Sequence, residues 1–549
     1  MADLACLAVA VGISTHISIL SHIDLEMYLI QFISTLGVSL LGSYWALRSL
    51  PASLTMFTCY NIGILLSMTV YRLWAHRLGS FPGPFLAKLT RFYGLYLASK
   101  DTMYHRELSL MHRQYGDFIR IGPRELCVIR KSAVDALHGP DSKCQKSTWY
   151  SQVHTDPNKC SVHTIRDLNQ HRLRRKAWDQ GLSIKTLATY EGRVKRLIEL
   201  FLSKISLKKV VEITEMSSLL VFDSMGEIGF GKTFGCLSRG ASHPALKCIR
   251  EHMETIGTLS QVPWLLYLIS RIPGVTAGYS EFFRICETEI DAKLKNWDPS
   301  KKPNDIASWL LKAFVAKDKS AAPTKQALYE DSRVLIVTGT DTTAGTLSAA
   351  LYFLAKYPAL QRKLQCQCDA VMPSAEDWSY DKVKSITFID NLINETLRLK
   401  PALLVGGRRV TPPGGIQIDE EYIPGDINII TPIWPLHVDP RYWPAAGEFI
   451  PERFGERRQE MKTDDAPFFP FGLGAYSCPG KNLFFMSLRI ALSRIAQEFD
   501  VAFAPGEDGS AFDNGAKETF STTYPPLVLQ FIKRSGRAGS VDGESSRLA

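Results

Sequence analysis

The chain has 549 residues, 45% of them hydrophobic and 22% charged, with a formal net charge of +9. This composition excludes a largely disordered or fibrous chain and supplies a sizeable core. The moderate positive excess suits an acidic partner or a membrane surface, and no dense basic run interleaved with aromatics points to nucleic acid. The 11 cysteines are odd in number and irregularly spaced. Only Cys366 and Cys368 lie close together, without a Cys-x-x-Cys or His-x-x-x-His companion, so a zinc site is not expected and the thiols suit a reducing compartment. Length alone suggests roughly three or four domains at ~150 residues each.

Three apolar stretches come first: Ala5 to Leu20, interrupted by His16; Met27 to Leu47; and Ser53 to Tyr71. A spanning helix needs about 20 such residues; the second and third qualify and the first is marginal. A cleaved signal peptide has one shorter apolar region, not a repeated one. Arg72, His76 and Arg77 place the far end on the cytoplasmic side, and Arg48 interrupts the set. The expectation is a membrane anchor of two or three spans over residues 1–78, then a cytosolic body over 79–533.

Phe81-Pro82-Gly83-Pro84-Phe85 reads as a stiff turn. Tyr115 to Pro123 reads as turn, alternating strand and turn, with Cys127 to Ile129 as the return strand. His171-Arg172-Leu173-Arg174-Arg175 starts a basic helix running through Trp178. His171 and Arg175 are four apart and share a face, and two cations there suit two carboxylates of a ligand, although a solvated basic face accounts for the pattern too. Glu212 to Gly231 reads as an apolar helix closed by glycine. Trp264 to Ile269, after Pro263, is an apolar run of the kind that ordinarily joins a core, and Lys301 to Asp305 is a polar loop.

Asp331 to Leu354 is a long helical pattern containing Thr338-Gly339-Thr340-Asp341-Thr342-Thr343. Threonines and a glycine are unfavourable inside a helix, so the stretch marks a functional distortion or a structural kink. Asp390 to Lys400 is another helix, with Glu395 and Arg398 three apart on one face. An apolar segment, Ala402 to Gly407, leads to Arg408-Arg409-Val410. Ile416 to Ile418 and Asn428 to Ile430 read as short strands around the Pro424-Gly425 turn. Trp434 to Pro444 is a proline- and aromatic-rich meander, followed by Phe449-Ile450-Pro451-Glu452-Arg453-Phe454.

Phe471-Gly472-Leu473-Gly474-Ala475-Tyr476-Ser477-Cys478-Pro479-Gly480 sets one cysteine at the end of a glycine-rich loop, just before a strongly apolar helix pattern. Pro479 and Gly480 read as the helix start. The positive helix end and its free N–H groups favour a thiolate and a lowered pKa. Gly472 and Gly474 allow a tight turn and close approach to a flat ligand. A lone cysteine is by default a small core residue; a thiolate here suits a metal ligand or a nucleophile. Beyond Phe531 the chain turns polar, and 534–549 reads as a disordered tail.

Phe-x-x-Gly-x-basic-x-Cys-x-Gly is the haem-binding loop of the cytochrome P-450 superfamily. The chain resembles it at Phe471, Gly474, Cys478 and Gly480, and resembles the fungal membrane-bound branch in carrying Tyr476. The resemblance implies a mainly α fold, a single large helical domain with a small β region over about residues 80–530. N-terminal transmembrane helices precede it, and the estimate of several domains gives way. It implies that Cys478 is the axial iron ligand of haem b (iron protoporphyrin IX), whose electron donation favours O–O cleavage. Tyr476 stands where Arg or His ordinarily meets a propionate; it can donate a hydrogen bond but carries no charge. The resemblance also makes His171, Arg175 and Arg409 propionate partners, with Arg408 the lesser candidate.

Gly339, Asp341, Thr342 and Thr343 match the family's central-helix motif, with Thr338 in place of a small apolar residue. Thr342 is thereby placed at the dioxygen side of the haem and Asp341 in proton delivery, where a hydroxyl must order water. Glu395, Arg398 and Arg453 match a buried charge network behind the haem. Phe81 to Phe85 matches the hinge after the anchor, Trp264 to Ile269 a membrane-dipping lid, and Ala402 to Gly407 a substrate-facing segment.

The implied function is monooxygenation: one oxygen atom of O2 enters a lipophilic small molecule and the other leaves as water. Electrons would come from an NADPH-dependent flavoprotein reductase docking on a basic face that includes Lys481, Arg489 and the His171–Arg175 helix. By analogy the setting is the endoplasmic reticulum membrane and a tailoring oxidation in fungal secondary metabolism, of a terpenoid, polyketide or alkaloid. Three alternatives stand beside it. An oxygen-independent isomerase or dehydratase is disfavoured by Thr342. A non-catalytic haem- or lipid-binding scaffold is kept open by Tyr476 and Thr338. A haem-free cysteine nucleophile lacks a histidine placed beside Cys478.

Overall fold

The three apolar stretches form helices α1 (Ala2–Thr15, prolonged by a wider turn over His16–Leu20), α2 (Leu29–Leu47) and α3 (Leu50–Val70, prolonged to Ala75). All three are long and apolar enough to cross a membrane. The computed structural model describes residues 2–534 apart from 24, 152–155, 271, 273, 275, 276 and 520. α1 and α3 meet at two glycines. A Cβ on Gly12 would lie 2.1 Å from the Tyr60 carbonyl oxygen, and one on Gly63 2.2 Å from that of Val9, so small residues permit the close crossing. His16, which interrupts the first run, is buried and bonds Ser67 Oγ through Nδ1 at 2.8 Å. Arg48 closes α2 in the left-handed conformation.

The anchor joins the body through polar contacts. Buried Arg120 donates to the Arg72 carbonyl at 3.0 Å, and its own N–H donates to the Pro82 carbonyl at 2.7 Å. The Pro82-Gly83-Pro84 turn therefore lies against the first strand.

Helices α4 (Phe85–Leu89), α5 (Phe92–Asp101) and α6 (Tyr104–Tyr115) lead to antiparallel strands β1 (Phe118–Gly122) and β2 (Glu125–Val128). Then come α7 (Lys131–His138), β3 (Gln145–Lys146) and α8 (Leu168–Gly181). α8 starts three residues earlier than its basic run, because the Asp167 side chain caps it, accepting from the Gln170 N–H at 2.7 Å. The remaining strands are β4 (Val210–Glu212), β5 (Arg408–Val410), β6 (Ile416–Ile418), β7 (Glu421–Ile423), β8 (Asn428–Ile430), β9 (Phe499–Phe503), β10 (Lys517–Glu518), β11 (Thr522–Thr523) and β12 (Val528–Lys533). They form sheets ordered β1-β2-β8-β5-β3, β4-β12-β9, β6-β7 and β10-β11.

The short strands expected at Ile416–Ile418 and Asn428–Ile430 are both present. β6 does not pair with β8 around Pro424-Gly425; it pairs with β7, while β8 runs parallel to β2 and antiparallel to β5. Within the stretch expected as a tail, Arg534 is described and its side chain holds Asp369 at 2.6 Å. Residues 535–549 lie outside the described residues.

A central helix, Lys325–Lys356, spans 32 residues, about 48 Å, and is longer than the Asp331–Leu354 pattern. Thr324 caps its start. It crosses the helix Ile213–Met225 so closely that a Cβ on Gly339 would lie 2.4 Å from Met225 Sδ. Around these two helices one apolar core runs from Val162 to Phe531.

Candidate active site

Two left-handed glycines, Gly472 (φ +64°) and Gly474 (φ +60°), shape the cysteine loop. A Cβ on Gly474 would sit 2.6 Å from the carbonyl oxygens of both His138 and Gly139. The loop is thus pressed against the C-terminal end of α7. The Cys478 N–H donates to the Phe471 carbonyl at 2.8 Å, and the Phe471 ring meets Phe484 edge-on at 5.1 Å. The following helix begins at Lys481 with Gly480 as its N-cap, so Pro479 precedes the first turn instead of occupying it.

The Cys478 residue retains accessible surface while protein atoms crowd its thiol from behind. Burial pushes its pKa up, against the Gly480 and Lys481 N–H groups and the charges of Arg175 and Lys481. Desolvation and the N–H groups at the helix end thus act on this thiol in opposite senses. A coordinating metal cation is what deprotonates such a thiol outright.

Beside the loop is a group of cations. Tyr476 donates its hydroxyl to the Arg166 carbonyl at 2.8 Å, so that hydrogen is committed to the backbone. Its ring carries Lys146 Nζ at 4.7 Å and Arg409 Cζ at 4.9 Å from the centroid, and touches the His171 ring at 4.7 Å. Lys146 and Arg409 are register partners across β3 and β5. Both are buried, and among the described residues neither has a carboxylate partner. The buried Arg409 Nε and His171 Nδ1 have no hydrogen-bond partner. Arg175 donates to the Ser477 carbonyl at 2.5 Å and to Asp179 at 2.7 Å.

Neighbouring strand positions face opposite ways, which separates the two arginines. Arg408 bonds Gln261 at 2.7 Å and faces Glu125 at 3.7 Å, away from Tyr476. Burial, Lys146 and Arg175 pull the His171 pKa down to about 2, so the imidazole is neutral and the reading of two cations on this helix face is corrected. Burial with Arg409 and Arg175 likewise pushes the Lys146 ammonium well below its usual range. Unpaired donors and buried like charges next to an accessible thiol are what a flat metal macrocycle bearing two carboxylates fits. The residues present fit haem b.

The central helix does not break at its threonines. Thr338, Thr340 and Thr342 each return the hydroxyl to the carbonyl four residues back, at 2.7, 2.7 and 2.8 Å. That satisfies them inside a continuous helix and bends it only gently. In the otherwise buried middle of the helix, positions 338, 339, 341, 342 and 345 keep partial accessibility. Their spacing puts Thr338, Asp341 and Thr342 on one face. Burial raises the Asp341 carboxyl to about 6, with Arg250 opposing it.

Glu395, Arg398 and Arg453 are brought together with no exposure. Arg398 clasps the Glu395 carboxylate through Nε and a terminal nitrogen, both at 2.8 Å, and Arg453 Nε reaches it at 2.9 Å. The spare arginine donors go to the carbonyls of Pro444, Ala445, Ala446 and Glu448. The network thereby sets the backbone of the meander.

Other expected contributors sit apart. Leu404 and Val405 are buried among other apolar side chains, leaving Ala402, Leu403, Gly406 and Gly407 with accessible surface in that segment. Of the expected docking face, Lys481 is exposed, but Arg489 is clasped by Asp390 at 2.7 Å through two nitrogens. Arg174 turns inward to pair with Asp331. Lys146 carried no signal in the sequence; only the pairing of a two-residue strand with β5 reveals it.

A helical body with an accessible cysteine on a glycine loop, an anion-seeking cation cluster beside it and a buried Glu–Arg–Arg network behind it defines a haem-thiolate oxygenase. The chain belongs to the cytochrome P-450 family, whose model matches residues 82–531. It is similar to the cytochrome P-450 monooxygenase orf5 of Eupenicillium brefeldianum, 37% identical over 88% of this chain and 97% of that protein. It is also similar to the cytochrome P-450 monooxygenase FCK2 of Fusarium pseudograminearum, at 35% over 92% and 90%. Tryprostatin B 6-hydroxylase of Aspergillus fumigatus is 28% identical over 95% of both chains. The protein is therefore a haem-dependent monooxygenase, acting with O2, an organic substrate and an electron-donating redox partner.

Proposed function

We propose that Cys478 supplies the thiolate ligand of haem b, and that Arg175, Arg409 and the His171 imidazole face its propionates. When bound through a thiolate, haem b supplies reductive activation of O2 and delivery of one oxygen atom to the substrate. The chain's own residues then have separable tasks. Gly474 lets the loop bearing Cys478 seat on α7, and Glu395, Arg398 and Arg453 fix the backbone behind it. Thr342 commits its proton to the Thr338 carbonyl, which leaves its oxygen free to accept from, and so order, a water molecule. Asp341, with a carboxyl near 6, can hold or release a proton close to neutral pH.

The three apolar helices support membrane anchoring, and the basic residues after α3 support a cytosolic body on the endoplasmic reticulum. Exposed Lys481, Arg172 and Lys176 offer a face for an acidic NADPH-dependent flavoprotein reductase. The reaction is read as a tailoring oxidation of a lipophilic small molecule in fungal secondary metabolism, with a terpenoid, polyketide or alkaloid product; the fungal monooxygenases it resembles, among them tryprostatin B 6-hydroxylase, support oxidation of a small organic molecule. Residues 1–78 serve as anchor and 79–533 as the catalytic domain.

The accessible Cys478 thiol beside unpaired buried cations carries this reading. The test is the carbon monoxide difference spectrum of the reduced protein, wild type beside Cys478→Ala. A strongly red-shifted thiolate band, lost in the variant, is expected. Folded wild-type protein without a haem signal would overturn the assignment.

A further inference from the structure

A second cavity lies away from the cysteine loop. It holds about 350 Å³, where the C-terminal ends of the central helix and of the helix Thr387–Leu399 meet the start of α6. None of its lining residues belongs to the Cys478 loop, to the cations around Tyr476 or to the accessible face of the central helix. A volume of this order takes a small organic molecule.

Its charges do not balance. Arg106, Lys356 and Lys400 line it against one carboxylate, Asp513. Asp513 bridges Lys400 at 2.8 Å and Lys356 at 3.2 Å. Arg106 donates to the Asn514 carbonyl at 2.7 Å, and among the described residues no carboxylate pairs with it. Lys400 is buried, and burial pulls its pKa down in spite of Asp513, so one carboxylate does not offset its desolvation.

Much of the remaining wall is aromatic. Lys400 Nζ lies 5.7 Å from the centroid of the Tyr524 ring, and His105 meets Trp434 edge-on at 5.3 Å. His105 is buried, and its Nδ1 has no hydrogen-bond partner. Burial holds the ring near 3, so it is neutral and carries one N–H to donate. A bare inorganic anion would leave these rings without contact. A flat body carrying one carboxylate engages both the rings and the cations.

We propose that this cavity binds a small aromatic carboxylic acid, with its carboxylate held by Arg106, Lys400 and the His105 ring and its own ring against Trp434 and Tyr524.

The test is titration calorimetry on the purified holoenzyme, saturated with clotrimazole so that the open side of the haem is filled. Benzoate should bind at one saturable site. Benzamide has the same shape without the charge and should bind about 10-fold or more weaker, the size of a lost charge-assisted bond. Cyclohexanecarboxylate keeps the charge but not the flat ring and should also bind more weakly, and inorganic phosphate should not compete. Arg106→Gln and Lys400→Met should each weaken benzoate by about 10- to 100-fold, with the Soret band of the clotrimazole complex unchanged.

Absence of saturable benzoate binding would overturn the proposal. Equal affinity for benzamide, cyclohexanecarboxylate or phosphate would do the same, as would unchanged affinity in either variant. Binding seen only without clotrimazole would place benzoate at the haem and overturn it equally. If Lys400→Met does not fold, Arg106→Gln decides, because Arg106 is half-buried and its loss leaves both Asp513 bridges in place.

Discussion

The Phe469 N–H donates to Nε2 of His437 at 3.2 Å. The carbonyl of the same histidine accepts from Arg398 at 2.9 Å. One imidazole thus joins the buried network on the Glu395 helix to the loop that carries Cys478, since the Phe469 carbonyl in turn receives the Gly472 N–H at 2.9 Å.

Glu395→Ala leaves two fully buried guanidinium groups without their carboxylate. Breaking a buried pair of this kind costs about 3–5 kcal/mol. The expected outcome is haem-free or unfolded protein, measured as the ratio of Soret to protein absorbance and the thermal midpoint. Normal haem occupancy would show that the backbone carbonyls of 444–448 hold the arginines unaided.

His437 is neutral in the fold, held near 3 by burial and the Arg398 charge. Its unfolded value lies near 6.5, so unfolding takes up a proton once the pH falls below that. The stability it contributes is complete above about pH 6.5 and drains away toward pH 3. His105, near 3, and His112, near 4, act in the same sense, each at about 1.4 kcal/mol per pH unit. Asp341, raised to about 6, acts oppositely, adding stability at low pH that is lost as pH rises through 6. The thermal midpoint should fall between pH 6.5 and 4.5, and fall less steeply in His437→Gln, whose amide oxygen can take the place of Nε2 as acceptor but cannot titrate. Parallel slopes for the two proteins would contradict this.

Gly474→Ala and Gly480→Ala should behave differently. The first puts a Cβ 2.6 Å from two carbonyl oxygens at a φ of +60°, a strain on the order of 1–3 kcal/mol or more. The second, at φ −80°, meets nothing closer than Cys478 Sγ at 3.7 Å. Haem content should drop in the former and stay near wild type in the latter; similar losses would sink the steric account.

Thr342→Ala removes the hydroxyl oxygen available to water without touching the packing of the thiol loop. Haem content and the carbon monoxide spectrum should be retained. Product formed per NADPH consumed should fall by roughly 10²-fold or more, the lower end of what positioned proton transfer contributes. Asp341→Asn should slow turnover by about 10²-fold or more. Unchanged coupling in both variants would remove the central helix from proton delivery.

The parts legible in the sequence are those where chemistry forces a residue type at a fixed spacing. The cysteine loop, the long helix, the Glu395–Arg398 pair and the β1–β2 hairpin are of this sort. What escaped depends on pairing between distant segments. β8 beside β2 joins residues about 300 positions apart, and the choice between Arg408 and Arg409 follows only from which face of β5 each occupies. His171 looked cationic because helix spacing reports direction but not desolvation. Lys146 was silent because the two-residue strand that carries it has no pattern of its own.

Lys146 held opposite Arg409 also bears on abundance. A fold that keeps buried donors unpaired gains when an anion arrives, so a cofactor that binds the native chain alone raises its stability by mass action. Haem supply would then set how many copies survive quality control. A host short of haem should accumulate less of this chain at equal transcript level, and an early fraction of each synthesis burst should be lost to proteolysis.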